Sequence, residues 1–310
     1  MTFDQLRIFV AVAEREHMTR AAELLGLTQS GVSAAIAALE LRYDTPLFHR
    51  VGRGVELTEA GKSFLPEAKA VLNRVTAAEL SLSELGGLKR GVLSVYASQT
   101  IASYWLPKYL VRFSETYPDI QVRLEVGNTA QVAKAVHNGT VELGFVEGAV
   151  EDSILAQEPI AGDCLVLVVG SGHPWASRKK LDPQELSQSK WVLRELGSGT
   201  RSEFAAALKQ LGINIETLNI VLELPSNEAV RAAVEAGAGA TAISELLVDS
   251  GIKSSVLYRV PMNLPKRQFI VLGHRERSRS KVAAAFLALI NSDRVVSVPF
   301  LTGNNRDNRR

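Results

Sequence analysis

Apolar residues in the first sixty positions recur every three to four residues, the period of a helix that buries one face. The pattern predicts three short helices followed by a basic loop. The inward positions are Phe3, Leu6, Phe9, Val10 and Ala13 on the first helix, Ala21, Ala22, Leu24 and Leu25 on the second, and Val32, Ile36 and Leu39 on the third. Thr19 is expected to cap the second helix, and Gly26 to end it, because glycine tolerates a left-handed backbone.

The exposed start of the third predicted helix carries short polar side chains rather than charges. Gln29, Ser30 and Ser33 lie at its amino end, just after Thr28. Glutamine can pair with adenine and serine with either partner, and a recognition helix uses its amino end in the major groove. An ordinary three-helix bundle with a solvated polar face fits each feature alone. Together with the basic loop at 47–54, the pattern favours DNA binding.

Net charge does not add to that interpretation. Residues 1–62 contain seven arginines and lysines against eight acidic residues, so the segment is close to neutral. Contact with the phosphate backbone must therefore come from local clustering near Arg50 and Arg53. The candidate DNA-contacting residues are Thr19, Arg20, Thr28, Gln29, Ser30, Ser33, Arg50 and Arg53.

A long helix is predicted over residues 58–85. Its near-heptad apolar positions are Leu65, Ala68, Leu72, Val75 and Leu82, with Glu79 interrupting the series. This spacing indicates a coiled-coil-like seam between two subunits, and the alternative is a helix packed on its own domain. Pro66 should kink or restart the helix, and the glycines within 86–91 should end it in a hinge.

From residue 92 onward, strand-like runs alternate with helical ones. The predicted strands are 92–97, 121–126, 142–146, 165–169, 191–193, 221–224, 240–243 and 267–273. The predicted helices include 102–115, 129–138, 202–211, 227–236 and 281–291. Such alternation is typical of an α/β fold built from βαβ units.

Four connections of this predicted sheet combine polar side chains with the start of a helix. Their candidate effector-binding residues are Ser98, Gln99, Thr100, Asn128, Thr129, Gly197, Ser198, Thr200 and Ser226. Ligands of open α/β sheets bind beyond the carboxyl ends of strands, where free helix N–H groups favour anions. Helix capping explains any one loop, whereas four loops on one sheet edge predict a shared small-anion site. Arg194 or Arg201 either pairs with such an anion or forms an ion pair with Glu195 or Glu203.

Composition narrows the classes of protein that remain. The chain has 310 residues, 46% of them hydrophobic and 22% charged, which is ordinary for two or three globular domains. Its net charge of +2 says little about partners. Neither a membrane span nor a signal peptide is expected, because no apolar run is long enough and no basic head precedes one. The single cysteine, Cys164, is expected to be a buried hydrophobe in a cytoplasmic protein.

Patterns typical of catalysis and of metal binding are absent from the sequence. It contains neither a Gly-x-Ser-x-Gly turn nor a Walker A sequence, and its five histidines are scattered. The glycine-rich run at 237–242 resembles a dinucleotide fingerprint, but it follows a helix and precedes a strand, so it is interpreted as a helix end. We expect no enzyme activity, no metal and no cofactor, with a small anion as the effector.

Several motifs taken together resemble the LysR-type transcriptional regulators. The residues that carry the resemblance are Ala21-Ala22-Glu23-Leu24-Leu25, Thr28-Gln29-Ser30-Gly31-Val32-Ser33, Ile36, Leu39-Glu40, Pro46-Leu47-Phe48, Arg50 and Leu57-Thr58-Glu59-Ala60-Gly61. The resemblance covers nearly the whole chain. It implies a winged helix-turn-helix DNA-binding domain at 1–58, a linker and dimerisation helix at 59–87, and an effector-binding domain at 91–302. That domain would resemble a periplasmic binding protein, with subdomain I at 91–161 and 267–302 and subdomain II at 162–266.

The resemblance also implies partners and an effector. The partners are double-stranded promoter DNA, a small-molecule effector, further copies of the chain in a homodimer or homotetramer, and RNA polymerase if the protein is an activator. The runs at 97–104 and 194–201 are similar to the branch that regulates sulfur assimilation, which implies sulfite or sulfate. A small organic acid or amino-acid derivative is the alternative effector.

Two other classes of function use the same α/β scaffold. A solute receptor for transport is disfavoured by the missing signal peptide and the additional N-terminal domain. An enzyme is disfavoured because the sequence shows no nucleophile–base pair and no metal-ligand set.

Overall fold

The computed structural model describes residues 1–52, 54–83 and 91–296, without the side chains of 73, 76, 77, 79–83 and 294–296. Arg53, the side chains of Glu79 and Leu82, and the hinge glycines at 86 and 87 therefore lie outside the described residues.

The first 57 residues form a winged helix-turn-helix, as the apolar pattern predicts. Helices α1 (Phe3–Arg15), α2 (Met18–Leu25) and α3 (Gln29–Tyr43) precede strands β1 (Phe48–Val51) and β2 (Gly54–Leu57). The chain bends by 108° between α2 and α3, which is the geometry of a helix-turn-helix pair. The two strands pair in antiparallel fashion and form the wing.

One apolar cluster holds the helices and the wing together. Phe9 is fully buried at its centre, with its ring centroid 5.4 Å from that of Phe48 and 5.0 Å from that of Phe64. The predicted inward positions Val32, Ile36 and Leu39 are confirmed. The predicted inward positions Phe3 and Leu24 are wrong, since these side chains are 57% and 56% exposed. Phe3 is the first residue of α1, and the short α2 buries only its two alanines.

The caps of α2 and α3 differ in part from the expectation. Thr19 does not cap α2. Its own N–H donates to Nδ1 of His17, which is the residue that caps α2, at 3.2 Å. Gly26 ends α2 in the left-handed region, as predicted, with φ of 65°. The Thr28 hydroxyl caps α3 by accepting from the N–H of Gly31 at 3.2 Å.

Helix α4 (Glu59–Ser83) continues past Pro66, so the proline does not restart it. Ala68 is fully buried in the core of the winged domain, and Leu65 and Leu72 pack against the same cluster. Ala68 therefore packs on its own domain rather than in a seam, and the seam at Leu65 and Leu72, which are partly buried there, stays a prediction. The side chain of Val71 is 40% exposed and points away from that cluster.

The remaining strands and helices form the expected α/β region. The strands are β3 (Gly91–Ser98), β4 (Ile120–Gly127), β5 (Leu143–Glu147), β6 (Leu155–Gly170), β7 (Lys190–Arg194), β8 (Asn219–Leu224), β9 (Ala240–Ser244), β10 (Leu257–Arg259) and β11 (Lys266–His274). The helices are α5 (Pro107–Thr116), α6 (Thr129–Asn138), α7 (Gly199–Gln210), α8 (Asn227–Glu235), α9 (Glu245–Lys253) and α10 (Lys281–Val296). A π-helical turn, Ile101–Trp105, precedes α5.

These nine strands form one sheet in the order β4-β3-β5-β11-β6-β9-β7-β8, with β10 also paired to β6. Strand β3 is parallel to β4 and β5, and β7 is parallel to β8 and β9. The long antiparallel pair β6 and β11 joins the two halves. Ile160 of β6 lies in the core of one half, while Leu165 and Leu167 lie in the core of the other. We call these halves subdomains I and II.

The apolar pattern did not predict α9 and β10, and it predicted only the second half of β6. The first half of β6 was not predicted, because Gln157, Glu158 and Pro159 interrupt its apolar pattern between the buried residues Leu155 and Ile160. Helix α9 follows β9 without a loop, so no polar segment separates the two, and β10 is only three residues long.

Cys164 is half-buried rather than buried. Within the described ranges no single helix is long and apolar enough to cross a membrane; only the bent pair of α2 and α3 meets that length and composition.

The glycine-rich run at 237–242 follows α8 and continues into β9, as the helix-end interpretation predicts. Gly237 and Gly239 have φ of 89° and 147°, which L side chains rarely adopt. A side chain on Gly239 would collide with the carbonyl group of Lys190. The run therefore lets β9 approach β7 closely.

Candidate functional site

The polar residues at the amino end of α3 share one surface. Gln29 and Ser30 are exposed and Ser33 is half-buried. The amide of Gln29 donates to the Ser33 hydroxyl at 3.0 Å, and the hydroxyls of Thr28 and Ser30 lie 3.2 Å apart. Because these bonds are exposed to water, a DNA base can replace them at little cost. Thr28 also caps the helix, so its first role is structural.

The other described residues predicted to contact DNA lie on α2 and β1. Thr19 and Arg20 are exposed on α2, and Arg50 is exposed on β1, opposite Val55 of β2. The N–H of Val55 donates to the carbonyl oxygen of Glu16 at 2.9 Å, which fixes the wing to the end of α1. The wing thus holds Arg50 in a defined position relative to the helices.

The loops predicted to bind an effector meet across the two subdomains. On one side the amide of Asn128 donates to the Glu195 carboxylate at 3.1 Å. The N–H of Ala130 donates to the carbonyl oxygen of Gly197 at 3.1 Å. The loops before α6 and before α7 are therefore in direct contact. We call this meeting point of the predicted loops the inter-subdomain site.

A second set of contacts joins the loop after β3 to the start of α8. The side-chain amide of Gln99 donates to the carbonyl oxygen of Pro225 at 3.1 Å and accepts from the N–H of Asn227 at 2.9 Å. The side-chain amide of Asn227 also donates to the hydroxyl of Thr100 at 3.1 Å. The side chains of Thr100 and Asn227 are both at least 98% buried. Asn227 was not among the predicted site residues, although it lies in a loop that the sequence singles out.

A buried ion pair supports the site from below. The guanidinium of Arg267 on β11 binds the Asp163 carboxylate on β6 at 2.5 and 2.8 Å and donates to the Thr200 hydroxyl at 3.1 Å. The Ser244 hydroxyl donates to the same carboxylate at 2.5 Å. Sequence reasoning missed this cluster, because Asp163 and Arg267 are 104 positions apart and no local pattern pairs them. The one local signal was Asp163, an acidic residue just before the apolar run at 164–169.

Two hydroxyl groups at the site lack a protein partner. Ser98 ends β3 and is 2% exposed, and its oxygen finds no hydrogen-bond partner among the described residues. The buried hydroxyl oxygen of Thr129, the first residue of α6, is in the same condition. A β-carbon placed on Gly199 would lie 2.5 Å from that Thr129 oxygen, so α6 and α7 begin side by side. Such unsatisfied buried groups are costly unless a ligand or water binds them.

The other predicted loop residues have mixed roles. Ser226 caps α8 by accepting from the N–H of Ala229 at 3.0 Å, which is the capping interpretation of that loop. Asn128 caps α6 in the same way and uses only its amide N–H groups across the subdomains. Ser198 precedes α7 and is 2% exposed, but its side chain makes no capping bond to that helix. The first turn of α7 thus keeps N–H groups that no side-chain cap satisfies in the described structure.

The two arginines near these loops are engaged by carboxylates. Arg194 pairs with Glu195, and Arg201 pairs with Glu223 rather than with Glu203. Burial raises the pKa of Glu203; the positive charge of Arg267 opposes this effect, while the nearby carboxylates of Glu147 and Asp163 add to it. The described residues contain no group of three His, Cys, Asp or Glu side chains that could hold a metal ion.

Comparison with known proteins agrees with this architecture. Residues 3–62 match the family described as bacterial regulatory helix-turn-helix protein, lysR family, and residues 86–293 match the LysR substrate binding domain. The chain is 34% identical over 291 residues to a probable RuBisCO transcriptional regulator of Synechocystis sp., covering 92% of this chain and 84% of that one.

The chain belongs to the LysR family of transcriptional regulators.

Two solved structures are similar to this LysR-type regulator. Full-length CbnR complexed with its target DNA has a TM-score of 0.70 at 24% identity, covering 94% of this chain and 99% of that one, which establishes the fold alone. The CcmR regulatory domain of Synechocystis PCC6803 in complex with 2-PG has a TM-score of 0.60 at 26% identity, covering 66% of this chain and 97% of that one. The predicted fold class is confirmed. None of these three proteins is named for sulfur assimilation, so that branch stays a prediction.

Proposed function

We propose that this LysR-type regulator reads promoter DNA in the cytoplasm with α3 and the wing, and that a small anion at the inter-subdomain site controls it. The observation that carries the effector proposal is the pair of buried, unpartnered hydroxyls of Ser98 and Thr129. Together with the uncapped start of α7, they supply donors of the kind that hold a compact anion. The effector should shift the population of two arrangements of the DNA-binding domains, which requires different affinities for them.

Sulfite or sulfate is the first candidate effector, and a small organic acid is the second. The sulfur candidate rests on the similarity of residues 97–104 and 194–201 to the sulfur-assimilation branch. The second candidate is favoured by a separate observation, that a similar regulatory domain is known in complex with 2-PG. Sulfite, sulfate and 2-PG are therefore the three ligands to compare directly.

Replacing Ser98 with alanine is expected to weaken effector binding about 10- to 100-fold. The substitution removes one hydrogen bond to a charged group, which contributes about 1.5–3 kcal/mol of binding free energy. Because that hydroxyl has no hydrogen-bond partner among the residues that the structure describes, stability should hardly change. Calorimetric titration of the full-length protein with each of the three ligands measures the effect. The exposed Ser177→Ala is the control. Equal affinities for wild type and Ser98→Ala would place the effector elsewhere.

Replacing Gln29 with alanine is expected to relax the preference for one base pair of the operator, at a cost of about 1–3 kcal/mol. Gln29 is exposed at the amino end of α3, where a recognition helix meets base edges. Fluorescence anisotropy on an operator and on its single-base variants measures this preference. Arg50→Ala is the comparison, since losing a phosphate contact should weaken all sequences alike and reduce the salt dependence. Unchanged base preference in Gln29→Ala would mean that another face of α3 reads the DNA.

Two copies of the chain should pair through the outward face of α4, and the family resemblance extends this to a tetramer. Val71 and Ala78 are exposed one heptad apart on that face. Val71→Glu is expected to shift the protein towards monomers in sedimentation at micromolar concentration, because a charge would enter an apolar seam. The exposed Lys62→Gln is the control, because Lys62 lies nine residues before Val71, on the opposite side of the same helix. A Val71→Glu protein that sediments as wild type would exclude this face as the seam.

A further inference from the structure

Arg194 and Glu195, which are consecutive in the chain, form a fork-to-fork ion pair at the end of β7. The guanidinium donates from Nε and Nη2 to the two carboxylate oxygens at 2.7 and 2.8 Å. The side chain of Arg194 is only 4% exposed. This two-bond geometry is the one by which arginine binds free carboxylates and oxyanions. A carboxylate of the chain therefore occupies a ready-made anion-binding group.

The donors around this carboxylate come from both subdomains. Asn128, before α6, donates to the same Glu195 Oε1 that Arg194 binds. The remaining Nη1 of Arg194 donates to Asn227 at 2.6 Å, and Asn227 in turn binds Thr100. The network that holds the Glu195 carboxylate thus includes two predicted site residues, Asn128 and Thr100. It lies inside the inter-subdomain site rather than beside it.

The Glu195 side chain is placed to leave this network. Its exposed fraction is 24%, six times that of Arg194, so the carboxylate lies on the open side of the pair. The next residue, Leu196, is 74% exposed. Burial works against ionisation, yet the hydrogen bonds and charge of Arg194 hold the pKa of Glu195 below its ordinary value. The group is therefore a carboxylate at neutral pH, and its release sets free one buried positive charge.

We propose that Glu195 is a tethered competitor for the effector, and that an anion binds at the inter-subdomain site by displacing the Glu195 carboxylate from Arg194 and Asn128. This inference rests on the proposed function of the site. It also bears on the charge of the site, because the carboxylates of Glu147, Asp163 and Glu203 lie near Arg267, which binds Thr200 at the same site. An anion added without a released cation would enter negative surroundings. Displacement supplies that cation and selects ligands that can take both bonds of the fork.

The test is anion binding by full-length Glu195→Gln. Glutamine keeps the shape of the side chain but removes the charge that competes, so sulfate, inorganic phosphate and 2-PG should each bind about tenfold or more tightly than to wild type. The matched control is Glu223→Gln, which removes the carboxylate partner of Arg201, the other arginine of these loops. It should change affinity far less. Glu195→Ala should shift affinity in the same direction as Glu195→Gln, and tryptophan fluorescence verifies that each variant is folded.

The outcomes separate the inference from the proposed function. Wild-type binding with no gain in Glu195→Gln, or with an equal gain in Glu223→Gln, overturns the competitor role and leaves the anion site standing. Binding only by the glutamine variant supports the competitor role and removes these anions as effectors of the wild type. If neither protein binds any of the three anions, both the competitor role and the anion site fail.

Discussion

Replacing Arg267 with methionine is expected to remove about 3–5 kcal/mol from the stability of the α/β region. The guanidinium is 1% exposed and its partner carboxylate, Asp163, is 3% exposed. Burial disfavours the charged guanidinium, but the hydrogen bonds of Asp163 and the charges around it raise the pKa of Arg267 above its ordinary value. Without the arginine, the carboxylate remains buried with only the Ser244 hydroxyl of the ion-pair cluster to bind it.

Denaturant unfolding followed by tryptophan fluorescence measures this loss. All three tryptophans lie in the α/β region, so the signal excludes the winged domain. Arg259→Met is the matched control, because its ion pair with Glu245 is about half exposed on both sides and should contribute about 0–1 kcal/mol. Equal midpoints for the two variants would show that the cluster around Asp163 does not stabilise the fold.

The same substitution should also weaken effector binding. Arg267 donates to the Thr200 hydroxyl, which belongs to the first turn of α7, and so fixes one wall of the inter-subdomain site. Arg259 makes no such contact to the predicted loops within the described structure. We therefore expect Arg267→Met to lose anion affinity and Arg259→Met to keep it. The comparison is made without denaturant, where both variants are folded.

The winged domain was predictable from sequence because its packing is local. Val32, Ile36 and Leu39 follow one another at helical spacing and meet neighbours less than forty residues away. The errors there have local causes too. Leu24 lies on the outward side of α2, whereas the next residue, Leu25, packs against the core of the winged domain. The near-heptad series on α4 has the same spacing whether it meets a partner or its own domain, so periodicity could not decide between them.

The inter-subdomain site was predictable only in part. Strand ends followed by hydroxyls identified Ser98, Thr100 and Ser198. The expected single sheet edge is wrong, because β3 and β7 lie in different subdomains and run in opposite directions, so their carboxyl ends face each other across the site. The bonds that cross the site join residues more than a hundred positions apart, such as Thr100 and Asn227. No sequence period reports such pairs. The fate of Arg194 was left open between an anion and Glu195, because adjacent residues can always reach each other.

Replacing Phe9 with alanine is expected to destabilise the winged domain by about 3–5 kcal/mol and to abolish DNA binding. Phe9 is fully buried and contacts the rings of Phe48 on the wing and Phe64 on α4. Its removal leaves a cavity between α1, the wing and α4. These three elements must keep a fixed relative geometry to bind DNA. A domain of about sixty residues has little stability to lose, because small domains bury a limited fraction of their surface.

The winged domain contains no tryptophan, so two optical probes distinguish the unfolding of the two regions. Circular dichroism reports the helices of both regions, whereas fluorescence reports the α/β region alone. Phe9→Ala should therefore split the dichroism transition and leave the fluorescence midpoint unchanged. Phe3→Ala on the same helix is the control, since that ring is 57% exposed and its loss should stay within about 0.5 kcal/mol. If Phe9→Ala binds operator DNA like wild type, the aromatic cluster does not fix the wing and α4 to the DNA-reading helices.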